Sequence, residues 1–139
     1  MATVIRPELS ENNKYWVEKH RYYELKHFCL QYPIWKRAYL ALEGLSGRPA
    51  NLTIFVRTNS NSSPTEKCAI EKSFYSERID MIERIAKQTD SELSHYILRA
   101  VTEGLSYTNL KSRLDIPCSR DTYYDRYRRF FWLLHKARN

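Results

Sequence analysis

The stretch from Ser106 to Asn139 constrains the fold most, because it predicts two helices separated by a sharp break. Ser106 is a suitable N-cap for the first helix. The apolar residues that follow recur with helical spacing and predict one buried face: Tyr107, Leu110 and Leu114. Pro117 cannot continue that helix, since proline lacks a backbone N–H and its ring clashes with the preceding turn.

A second and longer helix is predicted to begin after Ser119, with Asp121 in its first turn, where a negative charge is favoured. Its apolar residues fall on one face and predict a buried stripe: Tyr123, Tyr127, Phe130, Phe131 and Leu134. A short helix, a turn holding Ile116 and a longer basic helix together match a helix-turn-helix, whose second helix enters the major groove of DNA. The alternative is a plain helical hairpin whose arginines are only solvated.

Composition limits the class of protein. A length of 139 residues fits one domain, or a small domain with an arm. Lys and Arg number 23 against 16 Asp and Glu, and the net charge of +7 favours a polyanionic partner, either nucleic acid or an anionic membrane surface. Only 3 glycines and long stretches of helical periodicity predict an all-α fold.

Targeting and redox signals point to the cytoplasm. No apolar run approaches the roughly 18 residues of a membrane span, and the first residues lack the core of a signal peptide. The 3 cysteines are widely separated and form no C-x-x-C pair, which predicts reduced thiols rather than a disulfide framework. We therefore expect a cytoplasmic protein with no membrane association.

The N-terminal region, residues 1–44, is predicted to be an arm followed by a helical hairpin. A helical pattern begins near Asn13, and its apolar stripe comprises Tyr22, Leu25, Phe28, Cys29 and Tyr32. Pro33 suits the first turn of a second helix that runs to Glu43 and ends at Gly44. Residues 45–63 are rich in loop-forming residues and predict a linker, within which Leu52–Arg57 could form a short strand.

Residues 64–139 are predicted to form a helical DNA-binding domain whose last part, 106–139, is the helix-turn-helix. Ser63–Glu66 is a capping box that begins a long helix with the apolar face Ile70, Phe74, Met81, Ile82 and Ile85. Thr89–Glu92 is a second capping box. The helix after it has the apolar face Leu93, Tyr96, Ile97, Ala100 and Val101, and is predicted to end at Gly104.

Several motifs together resemble one known family. They are Tyr32-Pro33-x-Trp35, Pro64–Lys67, Gly104-x-Ser106-Tyr107, Ile116–Asp121 and Tyr123–Phe131. In these motifs the sequence resembles the RinA-type transcriptional activators of phages of Gram-positive bacteria, whose C-terminal part is similar to the last DNA-binding region of sigma factors. The resemblance covers most of the chain and is specific in the final third. It implies a phage activator that binds double-stranded DNA beside RNA polymerase in the bacterial host.

Candidate DNA contacts follow from the position of each residue in a sigma-like helix-turn-helix. Base-edge contacts are predicted at the start of the second helix, from Ser119, Arg120, Thr122 and Tyr124. Phosphate contacts are predicted from Tyr107, Thr108, Lys111, Arg126, Arg128 and Arg129. Phosphate contacts position a protein and make its binding salt-dependent, whereas base contacts specify the sequence.

Catalytic signals are lacking, so we predict that the protein is not an enzyme and has no cofactor or metal. The 4 histidines are scattered, and neither an H-E-x-x-H motif nor a Gly-rich phosphate loop occurs. Asp121 and Asp125 lie one helical turn apart and could hold a metal in principle. The surrounding arginines make salt bridges the better interpretation.

Trp132 lies roughly opposite the apolar stripe of the last helix, so that helix is apolar on two sides. One hypothesis is that the N-terminal hairpin or a second protomer, as in a homodimer, covers this tryptophan. The other is that Trp132 is a single exposed aromatic residue.

Two other functions remain open. One is a phage terminase small subunit, which recognises DNA for packaging and would assemble as a ring. The other is a protein-interaction module, for example a sigma-like polymerase binder or an inhibitor of a host protein, without DNA contact. Asp121 and Asp125 keep this second alternative open, because both carboxylates would repel phosphate.

Overall fold

The computed structural model describes residues 13–46 and 64–138, and it is all-helical over these ranges, as predicted. The helices are α1 (Lys19–Leu30), α2 (Tyr32–Ser46), α3 (Pro64–Thr89), α4 (Ser94–Glu103), α5 (Tyr107–Leu114) and α6 (Arg120–Ala137). None of the helices within the described residues is both long and apolar enough to cross a membrane. The predicted arm, most of the predicted linker and the possible strand lie outside the described residues.

The described chain divides into two compact units. The first unit comprises residues 13–31 and 81–138, and the second comprises the described residues of Tyr32–Asp80. The first unit therefore holds α1, the C-terminal part of α3, and α4 to α6. The predicted domain boundaries at 44 and 63 stay predictions.

The C-terminal end of α4 and the N-terminal ends of α5 and α6 have the capping residues that the sequence predicts. The Ser106 side chain accepts a hydrogen bond from the backbone N–H of Asn109 at 3.2 Å. Ser119 accepts from the backbone N–H of Thr122 at 3.3 Å. Gly104 ends α4 in the left-handed conformation with φ of 72°, which glycine adopts without a steric penalty. These three predictions are confirmed.

The predicted bounds of the first two helices are wrong. α1 begins at Lys19 and not near Asn13, because the Glu18 side chain caps it by accepting from the backbone N–H of His20 at 2.9 Å. α2 continues through Gly44 to Ser46. A glycine inside a helix costs about 1 kcal/mol relative to alanine, which is too little to end a helix by itself.

The predicted capping box at Thr89 is also wrong. Thr89 is the last residue of α3, and its buried hydroxyl donates to the carbonyl of Ile85 at 2.8 Å. Asp90 instead holds the turn before α4, since one carboxylate oxygen accepts from the backbone N–H groups of Glu92 at 3.0 Å and Leu93 at 3.1 Å. The N-cap of α4 is Leu93, which makes no side-chain capping bond. An Asp side chain commonly bonds the backbone two residues further on. The turn before α4 therefore depends on one carboxylate.

The core of the first unit forms around the predicted stripe of α6, all of which is buried: Tyr123, Tyr127, Phe130, Phe131 and Leu134. α1 packs against α4 and α6, and α4 packs against α5. The buried residues of α1 are those predicted from its periodicity: Tyr22, Leu25, Phe28 and Cys29. The Tyr22 ring meets the Phe131 ring edge-to-face, with centroids 5.1 Å apart.

The predicted apolar face of α3 is buried only in part. Ile82 and Ile85, which belong to the first unit, are buried. Ile70 and Phe74, which belong to the second unit, are 68% and 45% exposed. The periodicity predicts one buried face along the whole helix, but in the structure the N-terminal part of that face, with Ile70 and Phe74, is exposed.

Trp132 is covered from the N-terminal side of the chain. The Tyr15 ring, in the turn before α1, lies with its centroid 5.4 Å from that of Trp132. The Lys136 ammonium group lies 3.5 Å from the Trp132 ring centroid. Trp132 is consequently half-buried, in agreement with the hypothesis that N-terminal residues cover it.

Three tyrosine hydroxyls in this core differ in their hydrogen bonds. The hydroxyls of Tyr22 and Tyr127 lie 2.7 Å apart and share a buried hydrogen bond. The Tyr123 hydroxyl is buried without a hydrogen-bond partner among the described residues. Burial, followed by the influence of nearby Tyr124, raises the pKa of Tyr123 well above its usual value. A buried hydroxyl without a partner costs about 1–3 kcal/mol.

Two Tyr→Phe substitutions should therefore have opposite effects. We expect Tyr123→Phe to raise the free energy of unfolding by about 1 kcal/mol, because it removes the unpaired hydroxyl. Tyr22→Phe should lower it by about 1–3 kcal/mol, because the Tyr127 hydroxyl loses its buried partner. Urea denaturation of the two variants and the wild type measures both changes, and equal shifts of the same sign would contradict the assignment.

Candidate nucleic-acid interface

A short turn joins α5 to α6 and carries one residue into the core. Asp115 ends α5 in the left-handed conformation with φ of 50°, which aspartate tolerates better than most residues. Ile116 follows and is fully buried, and its backbone N–H donates to the Leu110 carbonyl at 3.4 Å. The apolar turn residue therefore anchors the connection between the two helices.

Two side chains of α5 hold the turn from the outside. The Tyr107 hydroxyl donates to the carbonyl of Cys118 at 2.7 Å. The Lys111 ammonium group donates to the carbonyl of Ile116 at 3.3 Å and pairs with the Asp115 carboxylate at 3.3 Å. Both residues were predicted to contact phosphates, and both have intramolecular partners.

Arg120, the first residue of α6, is exposed and braced by two aromatic rings. Its guanidinium group lies 5.2 Å from the ring centroid of Tyr107 and 5.9 Å from that of Tyr124. One of its terminal nitrogens lies 3.4 Å from the exposed Thr108 hydroxyl. The structure thus brings four predicted contact residues together at the N-terminal ends of α5 and α6.

Tyr124, a predicted base-edge contact, does not lie on the exposed side of α6. It is only 9% exposed, because its ring packs against Tyr123 at 5.2 Å and faces Tyr107 at 6.5 Å between centroids. Its hydroxyl lies 3.5 Å from the Arg120 guanidinium. The ring therefore supports Arg120 from the core side.

Ser119 and Thr122 form the polar first turn of α6. Ser119 accepts from the Thr122 backbone N–H and donates to the Thr122 hydroxyl at 3.0 Å. Ser119 is exposed and Thr122 is half-exposed. With Arg120 they give this end of the helix a set of polar groups that solvent can reach.

Arg126, a predicted phosphate contact, instead links α6 to the turn between α3 and α4. Its Nε donates to the second carboxylate oxygen of Asp90 at 2.9 Å, and it also pairs with Asp125. The hydrogen bond to Asp90 raises the pKa of Arg126. Burial opposes ionisation of Asp90, but the hydrogen bonds from Arg126 and from the backbone of Leu93 and Glu92 outweigh it and lower its pKa.

Arg128 and Arg129 differ from Arg126 in having no hydrogen bond or ion pair to any described residue. Both are partly exposed. Asp121, near the start of the same helix, is exposed as well. The accessible part of α6 therefore combines unpaired arginines with one exposed carboxylate.

Asp90 is the residue of this region that the sequence pattern did not single out. Its position two residues before Glu92, in a turn between two helices, was the available signal. No sequence pattern indicates its pairing with Arg126, because Asp90 lies in the turn between α3 and α4 and Arg126 lies on α6, far away in the chain.

No family model, curated protein or solved structure matches the chain. Within residues 13–46 and 64–138, no group of three or more His, Cys, Asp or Glu side chains could hold a metal ion.

The Asp90–Arg126 pair should make stability depend on pH. Because the pKa of Asp90 is lowered by folding, its contribution is present above the unfolded pKa of about 3.9 and is lost as pH falls through the folded value. We expect Asp90→Asn, which keeps a capping oxygen, to cost about 1 kcal/mol at pH 7. The difference from wild type should shrink below about pH 3.9 in chemical denaturation at several pH values.

Glu92→Gln is the matched control, because it removes an exposed carboxylate two residues away. A cost for Glu92→Gln as large as that for Asp90→Asn would mean that general charge loss, and not the pair with Arg126, is being measured.

Proposed function

We propose that the protein is a sequence-specific, double-stranded-DNA-binding transcriptional regulator, and that α5, the turn and α6 act as its helix-turn-helix. By the resemblance described above, it would be a phage activator that works with RNA polymerase in the cytoplasm of a bacterial host. The observation that carries the proposal is the braced, exposed guanidinium of Arg120 at the start of α6.

Arg120 has the properties of a base-reading side chain. A guanidinium group donates two parallel hydrogen bonds to the O6 and N7 atoms of guanine in the major groove. In a helix-turn-helix the first residues of the second helix meet base edges. Because two aromatic rings already restrict Arg120, it would lose less conformational freedom on binding than an unrestrained arginine. Ser119 and Thr122 would supply further polar contacts from the same turn.

Phosphate contacts are proposed mainly for Arg128, Arg129 and Thr108. The two arginines have no intramolecular partner among the described residues, so a phosphate would not have to displace one. Thr108 lies in the first turn of α5, where backbone N–H groups favour anions. Tyr107, Lys111 and Arg126 could reach phosphates only by exchanging their present hydrogen bonds. We propose that these three residues instead fix the positions of α5, the turn and α6.

A protein-interaction module without DNA contact is the second candidate, and Asp121 favours it. This carboxylate is exposed on α6 beside Arg120, and Asp125 lies one turn further along the helix. Both would repel a phosphate backbone. In a protein interface the same mixture of charges would select a partner with complementary charges.

DNA titrations with Arg120 variants test the proposal. Fluorescence anisotropy should detect tight binding to one fragment from around the gene and weaker binding to scrambled DNA of equal length. We expect Arg120→Ala to lose about 1–3 kcal/mol on the specific fragment and little on scrambled DNA, and Arg120→Lys to lose most of the discrimination. Arg128→Ala should weaken both and reduce the salt slope by about 1.

Arg99→Ala is the matched control, because it removes an arginine of the same unit that belongs to α4 and already pairs with Glu103. Equal, weak binding to every fragment would contradict sequence-specific recognition and favour the protein-interaction alternative. A ring-sized mass together with specific binding would favour the packaging function over transcription.

A further inference from the structure

The N-terminal half of α3 carries two exposed apolar residues on one face. Ile70 and Phe74 are 68% and 45% exposed, and their spacing of one helical turn makes them neighbours. The Arg78 guanidinium lies 3.5 Å from the Phe74 ring centroid. On α2, the exposed residues Ile34 and Leu40 are separated by more than a turn and lie on different faces, as isolated apolar residues often do.

Charged residues flank this pair symmetrically on the same face of α3. Glu66 and Lys67 precede it by about one turn, and Glu77 and Arg78 follow it by about one turn. The order of signs along the chain is the same on both sides of the pair, acid then base, so residues equally far from the centre carry opposite charges. An antiparallel copy of the helix therefore meets this pattern with opposite charges.

Lys72 marks the centre of the pattern, and its side chain points away from the face. The Lys72 ammonium group lies 5.7 Å from the Tyr39 ring centroid, so it is engaged with α2. In an antiparallel pair with a two-fold axis at this level, each residue lies opposite the one equally far from Lys72 on the other side. Ile70 then meets Phe74, Glu66 meets Arg78, and Lys67 meets Glu77.

We propose that residues 66–78 of α3 form an antiparallel homodimer interface with the same residues of a second copy of this chain. Such an interface is isologous, since the same surface is used on both copies. It covers the apolar pair and places opposite charges at both ends. A parallel pair would instead set each charge against itself, with Glu66 facing Glu66 and Lys67 facing Lys67, which is unfavourable.

The proposed dimer does not depend on DNA binding and can be measured without DNA. If the proposed function also holds, a two-fold dimer carries two copies of α6 and would recognise a site with two-fold symmetry. Failure to dimerise and failure to bind DNA are thus separate results.

Charge reversal and rescue test the register of the pair. In sedimentation equilibrium without DNA, we expect the wild type to dimerise with a dissociation constant in the micromolar range. Glu77→Lys, which sets lysine against Lys67 twice in each dimer, should weaken association by about tenfold. The double variant Lys67→Glu/Glu77→Lys restores opposite charges and should return association to within a few-fold of wild type. High salt should reduce all these differences.

Two further variants separate a lost interface from a lost fold. Phe74→Lys should give a monomer whose circular dichroism and thermal midpoint match those of wild type. Leu40→Lys removes a comparably exposed residue outside the proposed interface and should leave the dimer intact. A wild type that stays monomeric at high micromolar concentration would overturn the proposal. So would a double variant no tighter than Glu77→Lys, or a dimer that Leu40→Lys disrupts as much as Phe74→Lys does.

Discussion

Burial of the aromatic face of α6 is the constraint on which the first unit depends. Tyr123, Phe130 and Phe131 are almost completely buried, and each side chain of this size removes a large apolar area from water. Because that face packs against α1, the other residues of α6 are fixed in orientation relative to the core. Arg120, Asp121 and Thr122 consequently lie in the accessible first turn, whether their partner is DNA or protein.

A second consequence concerns which basic side chains remain available. The turn between α5 and α6 is held by Tyr107 and Lys111, and α6 is tied to the turn before α4 by Arg126. These bonds fix the arrangement of α5 and α6. They also occupy side-chain donors that could otherwise bind an anion. In the net charge, Lys111 and Arg126 count the same as Arg128, although only Arg128 lacks an intramolecular partner among the described residues. The geometry distinguishes them.

The sequence predicted what local chemistry determines. The caps at Ser106 and Ser119, the end of α4 at Gly104 and the buried stripe of α6 depend on residues within a few positions of each other. Long-range partners could not be predicted in this way. The burial of Tyr124 depends in part on such a partner, because the Tyr107 ring of the neighbouring helix lies beside it. The Arg126–Asp90 pair depends on the fold in the same way.

α3 illustrates why a periodic pattern cannot identify the partner of an apolar face. Ile70, Phe74, Ile82 and Ile85 follow one helical repeat, yet the structure covers the last two and exposes the first two. Hydrophobic burial is non-directional, so the pattern selects equally for a partner in the same chain and for a partner in another. The flanking charges carry the additional information, because charge order has a direction along the helix. Residues equally far from Lys72 carry opposite charges, which matches a second copy running the opposite way and which a partner within the chain would not require.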